Sequence, residues 1–232
     1  MTLLSVVQNA FVLCGLNSTP SVAYTSTDDN VKQMLRLLYV EGRYLLDAHD
    51  WQELQTATTF VCGAAQAQTN QPPADFHRMS RGVDMWNDTS EWPITGPMTP
   101  EEWTELQVRD VAVLPQYWRL LNSSLYIYAP NSGDTIRYEY VSNKWIKQAG
   151  TTAATTLAGD TDTFYYPENV LELGITWRWK KAKGLDYAED MNDWQYALEN
   201  AKLNSAGGRR IISTTGEPYH RDKRTWHGTV TG

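Results

Sequence analysis

PENVLELGITWRWKKAKGLDYAEDMNDWQYALENAKLN, residues 167–204, holds two helices and the break between them. Pro167-Glu168 opens the first, and from Val170 the apolar positions Leu171, Gly174, Ile175, Trp179 and Ala182 recur at helical spacing until Gly184 stops the run. Asp186-Tyr187-Ala188-Glu189 has the composition of a capping box. It starts a second helix with Ala188, Met191, Trp194, Leu198 and Ala201 on one face.

Two similar stripes stand at the other end of the chain. Leu3, Val6, Val7, Ala10, Phe11 and Cys14 form a short amphipathic helix closed by Gly15. After Ser26-Thr27-Asp28-Asp29, whose side chains suit an N-cap, a longer helix carries Val31, Met34, Leu35, Leu38, Gly42, Leu45 and Leu46 and ends near His49. Gly42 on that face predicts a close helix–helix approach, at a cost of about 1 kcal/mol in propensity. Neither pair of helices buries its stripe alone, so the N- and C-terminal helices are expected to pack as one bundle.

The middle of the chain changes period. Leu54 to Val61 is rich in Thr and β-branched residues and reads as a strand. Ala64 to Pro73 is a polar loop, and Asp75 to Pro97 is irregular, with Trp86 and Trp92 set in polar sequence. Thr99-Pro100-Glu101-Glu102 opens a short helix reaching about Val108. Tyr117–Leu121, Leu125–Tyr128 and Thr135–Val141 are strand-like and separated by good turn compositions. Ile136, Tyr138 and Tyr140 alternate with Arg137 and Glu139, which predicts one buried face. Gln148 to Asp162 is rich in Thr, Ala and Gly and reads as a mobile excursion. The expected fold is therefore α+β, mainly α. Its parts are a helical bundle from 1–50 and 163–204, a β-rich insertion over 51–162, and an extended basic arm over 205–232.

That arm, SAGGRRIISTTGEPYHRDKRTWHGTVTG, reverses the charge of the rest. The whole chain carries −7 and the arm +3, which leaves −10 on residues 1–204. The arm has no helical or strand period and too few apolar residues to fold alone. Extended, its 28 residues reach about 90 Å at roughly 3.3 Å each. Arg209, Arg210, Ile211, Ile212, Tyr219, His220, Arg221, Lys223, Arg224 and Trp226 are its candidate contacts with another subunit. Glu217-Pro218-Tyr219 divides them into two groups. Ten Trp and thirteen Tyr against four Phe point the same way, because rings with a polar handle suit interfaces.

Chemistry is sparse. His49, His77, His220 and His227 stand at no metal-ligand spacing, and the chain has no P-loop, GxGxxG or GxSxG, so neither metal nor cofactor is expected. Cys14 and Cys62 form no disulfide framework, and Cys14 reads as a small core residue. Glu101, Glu102 and Glu168 could supply a glycosidase-like carboxylate pair, but each opens a helix, where acidic side chains are favoured anyway. Arg178, Lys180, Lys181 and Lys183 wrap round the end of one helix, as a solvated or interface-facing terminus does. An acidic body does not suit a protein that grips phosphate with its main surface. No 18-residue apolar run crosses a membrane, and MTLLSVVQNAFVLCGL lacks a basic n-region, which predicts synthesis in the cytoplasm.

The order of these features resembles the head-to-tail adaptor proteins of tailed bacteriophages, the head-completion or tail accessory factors related to tail tubular protein A. The residues carrying the resemblance are Leu45-Leu46-Asp47-Ala48-His49-Asp50-Trp51 and the block Asn122 to Pro130 followed by Gly133 to Tyr140. Most specific are Tyr166-Pro167-Glu168 and Arg178 to Tyr187. The excursions Gln66–Gly96 and Gln148–Asp162 depart from the compact pattern. The resemblance implies a non-enzymatic virion protein of the head–tail junction. It implies a dodecameric ring beneath the portal that continues the DNA channel, passes DNA without binding it specifically, and offers a platform to a tail or nozzle protein. The C-terminal segment would reach the portal or a neighbouring copy. Two other readings stay open: a virion-associated peptidoglycan hydrolase and a DNA-packaging accessory.

Overall fold

A computed structural model describes residues 2–109, 116–149 and 151–205. The fold is α+β, and helix outweighs strand, 39% to 23%. Four helices surround one core. Helix α1 (Leu3–Leu13) is capped by Thr2, whose side chain and that of Ser5 bond each other's backbone N–H. It ends in a Schellman motif, in which Gly15, at φ +68°, donates to Val12 and Leu16 donates to Phe11. Helix α2 (Asp29–Ala48) starts at Asp28, whose carboxylate accepts from the N–H groups of Asn30 and Val31.

The β-rich part follows. Strand β1 (Gln55–Val61) is antiparallel to β7 (Thr135–Ser142). On the other edge of β7 lie β3 (Met85–Asn87) at its start and β2 (Phe76–Met79) at its end, and β4 (Trp92–Ile94) extends the sheet from β3. The stretch 75–97, read as irregular, thus contributes three short strands. Helix α3 (Pro100–Arg109) starts as expected: Glu102 accepts from the N–H and hydroxyl of Thr99, whose hydroxyl oxygen accepts the Glu102 N–H. Its Trp103 is buried edge-on against Tyr126 and Tyr128 of a separate hairpin, β5 (Tyr117–Leu121) and β6 (Ser124–Tyr128). Asn122 and Ser123, both at positive φ, form the two-residue turn of that hairpin. Leu125, Ile127, Ile136, Tyr138 and Met85 share a second core.

A three-stranded sheet of β8 (Ile146–Gln148), β9 (Thr152–Ala154) and β10 (Thr163–Phe164) then leads back to the helices. Trp145, Ile146, Leu157 and Phe164 belong to the helical core. Helix α4 (Glu168–Ala182) packs against α1, α2 and the last helix, α5 (Ala188–Ser205). Gly184, at φ +70°, donates to Lys181 and Leu185 to Lys180, a second Schellman stop.

The excursion 148–162 is not a free loop in its described residues. Asp162, 2% exposed, accepts the N–H groups of Ala158 and Gly159 at 2.6 and 3.0 Å and that of Ala149 at 3.3 Å. The carbonyls of Asp162 and Asp160 take the Leu3 and Leu4 N–H groups, two donors that the start of α1 cannot satisfy itself. The Asp160 carboxylate accepts from Ala23 and Tyr24, and the Tyr39 hydroxyl accepts the Leu157 N–H. The sequence hides the bonds to Leu3, Leu4, Ala23, Tyr24 and Tyr39, because each joins residues more than 100 positions apart. Asp162→Ala removes three acceptor contacts from a buried carboxylate and should cost about 2–3 kcal/mol in chemical denaturation. A loss under about 0.5 kcal/mol would show that water replaces the carboxylate.

Most tryptophans are also accounted for internally. Trp51, Trp103, Trp118, Trp145, Trp177, Trp179 and Trp194 are all buried in the chain's own cores. Only Trp86 and Trp92 remain exposed among the described residues. The aromatic excess therefore reports a core built on indoles more than an interface.

Candidate functional site

The helices meet at a buried charge. Glu41, 0% exposed, sits on the apolar face of α2 between Leu38 and Leu45. Its Oε2 accepts from Arg178 Nε of α4 at 2.7 Å, and its Oε1 accepts from Trp194 Nε1 of α5 at 2.7 Å. One carboxylate thus ties three helices. Gly174 makes the room for it, since a Cβ there would lie 2.6 Å from Glu41 Oε1. Burial pushes the Glu41 carboxyl above its ordinary value, while the Arg178 charge and the two donated bonds pull it back. The Arg178 guanidinium also lies 4.4 Å from the centre of the Trp177 ring.

The rest of the basic run is similarly engaged. Lys180 Nζ contacts both carboxylate oxygens of Asp190 at 2.7 and 2.8 Å, joining α4 to α5. Lys181 Nζ lies 5.7 Å from the Trp177 and Tyr187 rings, and Lys183 Nζ 5.4 Å from Trp179. The expected solvated helix end is corrected for Arg178 and Lys180, whose charges are paired inside the body.

Gly42 also has a different neighbour from the one expected. The atoms nearest to it belong to the Trp145 indole and not to a helix: a Cβ at Gly42 would stand 2.5–2.7 Å from three indole carbons. Trp145 is stacked with both Phe164 and Tyr166, at 5.8 and 5.7 Å between ring centres, and the Tyr166 hydroxyl donates to the Gly42 carbonyl.

The end of α2 is clasped by the β-rich part. Arg78 pairs with Asp50 and donates to the carbonyls of Leu46 and His49, while Arg81 donates its N–H to Asp50 and a guanidinium N–H to the Asp47 carbonyl. His77 Nε2 lies 2.7 Å from Asp47 Oδ1. Between these groups and Trp145 is an open groove of about 410 Å³ lined by Tyr39, Arg43 and Asn143. Among the described residues no three His, Cys, Asp or Glu side chains converge as metal ligands, and no helix is long and apolar enough to cross a membrane.

Of the carboxylates singled out in the sequence, Glu102 is occupied as a cap, which holds it below its ordinary value. Glu101 and Glu168 stand in the first turns of α3 and α4. Cys14 caps the end of α1, half-buried, and burial raises its thiol to about 11. The candidate interface residues Arg209, Arg210, Ile211, Ile212, Tyr219, His220, Arg221, Lys223, Arg224 and Trp226 lie outside the described residues. The described chain stops at Ser205, which is buried and accepts the Gln52 N–H at 3.2 Å. The end of α5 therefore lies beside the segment that joins α2 to β1. Glu41 escaped the sequence reading, although an acid inside an apolar stripe opposite a glycine in a second stripe is a readable signal.

Residues 1–228 match the family model of the SU10 adaptor protein, and the chain belongs to that family, a family of phage head–tail adaptors. No curated protein matches it. The match spans both the body and nearly all of the arm.

Proposed function

We propose that this member of the SU10 adaptor family forms a ring beneath the portal of a tailed phage, extends the DNA channel, and carries the platform on which tail or nozzle proteins assemble. The family match over residues 1–228 carries the reading. The role is structural, not catalytic. In it the helices of 1–50 and 163–204 form the ring wall, joined at Glu41, and 51–162 faces the tail. An acidic body suits a channel that DNA must slide through without sticking.

The basic arm is the anchor. Its charge opposes that of the body, and its Ile, Tyr and Trp side chains gain from burial in a partner's groove. The segment from Arg209 to Ile212 meets a neighbouring copy, and the segment from His220 to Trp226 meets the portal. Removing residues 206–232, with Ser205 kept for its bond to Gln52, should leave the melting of the body unchanged. Binding to portal at physiological salt should weaken at least about 100-fold, or about 2.7 kcal/mol. Undiminished binding would sink the anchor.

A further inference from the structure

We propose that neighbouring copies meet head to tail, with the exposed face of α2 on one copy set against the outer face of α5 on the next. The inference rests on the ring reading and names the surfaces that build it. Helix α5 buries Trp194, Leu198, Ala201 and Ser205 against the body. On its opposite side Tyr196 and Leu203, seven residues apart and so in line, are each 74% exposed. Glu189, Asp193 and Glu199 flank that line and are all exposed. Among the described residues Glu189 and Asp193 have no ion-pair partner, and Glu199 is paired with Lys202 of its own helix.

The outer face of α2 has the converse character. Val40 and Tyr44, 40% and 47% exposed, form its apolar centre, and Lys32, Arg36 and Arg43 are the cations beside them. Arg36 and Arg43 have no ion-pair partner among the described residues. The two acids on this face, Asp29 and Asp47, are turned to Lys32 and His77.

Each face alone is a liability: beside its apolar line the unpaired charges are all acidic on α5, Glu189 and Asp193, and all basic on α2, Arg36 and Arg43. Pairing α5 with α5, or α2 with α2, would set like charges together, which costs affinity and disfavours a two-fold dimer. Pairing α2 with α5 matches cations to anions and covers both apolar lines. Such a contact uses two different patches of one chain, so it propagates from copy to copy and closes into a ring when the rotation allows. A single helix-on-helix face is smaller than the roughly 800 Å² per partner typical of stable complexes, so the pairwise contact is weak and ring closure supplies the rest.

The test uses full-length chains with Cys14 replaced by Ala, one carrying Val40→Cys and the other Tyr196→Cys, mixed and treated with a short bismaleimide. The mixture should give covalent dimers joining position 40 to position 196, well above what either chain gives alone. Arg36→Glu with Arg43→Glu on the first chain should lower that yield about tenfold or more, and Glu189→Arg with Asp193→Arg on the second should restore it. Products dominated by 40–40 or 196–196 links, or no 40–196 product at high concentration, would overturn the proposal. Native mass of the untreated protein with portal separates the two readings. A ring without 40–196 links removes this interface and keeps the ring. Links between 40 and 196 without a ring keep the interface and remove the ring.

Discussion

Glu41→Ala should lower the unfolding free energy by about 3–5 kcal/mol, a large part of the 5–15 kcal/mol typical of a folded domain. The cost does not measure the strength of an ion pair. It comes from what is left behind: Arg178, whose side chain is 18% exposed, without its counter-charge, and Trp194 Nε1–H without an acceptor. Two further variants isolate the cause. Glu41→Gln keeps the volume and one acceptor and should cost about 1–3 kcal/mol. Glu41→Leu combined with Arg178→Leu removes the buried charge altogether and should cost less than Glu41→Ala alone, because an apolar pair can replace a buried ion pair at little loss. If the double variant is the least stable of the three, the pair stabilises the fold in its own right. Chemical denaturation, with the slope held constant between variants, reads all three. The position of the node gives the result a functional edge: Tyr44, part of the exposed α2 face, packs on Trp194 with 5.5 Å between ring centres. Loosening the node therefore loosens the α2 face proposed above to meet a neighbouring copy.

How much of this was legible depended on the range of the interactions. Every long helix was readable, since a 3.6-residue stripe and a terminal glycine are local signals, and Gly15 and Gly184 do adopt the left-handed conformation that ends each run. The alternation in β7 was equally plain, with Ile136, Tyr138 and Tyr140 buried and Arg137 and Glu139 exposed. Strands of three or four residues, such as β3 and β4, carry too few positions to show a period. The tethering of 148–162 to α1 and the segment after it rests on Asp160 and Asp162 bonding residues more than 130 positions away, which no local window contains. Charge was misread for a related reason. Arg178 and Lys180 look solvated in one dimension and are paired within the body once α2 and α5 lie beside α4, while Lys181 and Lys183 stay exposed. The adaptor family was readable from the order of elements, and the exposed faces of α2 and α5 were not, because they are defined by which faces the packed body leaves uncovered.

Trp145→Ala is expected to have a comparable effect, about 3–5 kcal/mol. The indole is 3% exposed and packs against Gly42 of α2, with Phe164 and Tyr166 stacked on it at 5.8 and 5.7 Å and Tyr39 edge-on at 6.0 Å. Its removal leaves a cavity that three aromatic neighbours, each held elsewhere, cannot collapse into. The glycine against the indole provides a control. Gly42→Ala alone should destabilise by about 1–3 kcal/mol, because the new methyl meets indole carbons that have nowhere to go. In the Trp145→Ala background the same methyl enters open space, and the gain in helix propensity, about 1 kcal/mol, should emerge. The substitution is thus expected to change sign between the two backgrounds, with a coupling of about 2 kcal/mol or more. Equal destabilisation in both would mean that the α2 backbone at Gly42, and not the indole against it, sets the limit.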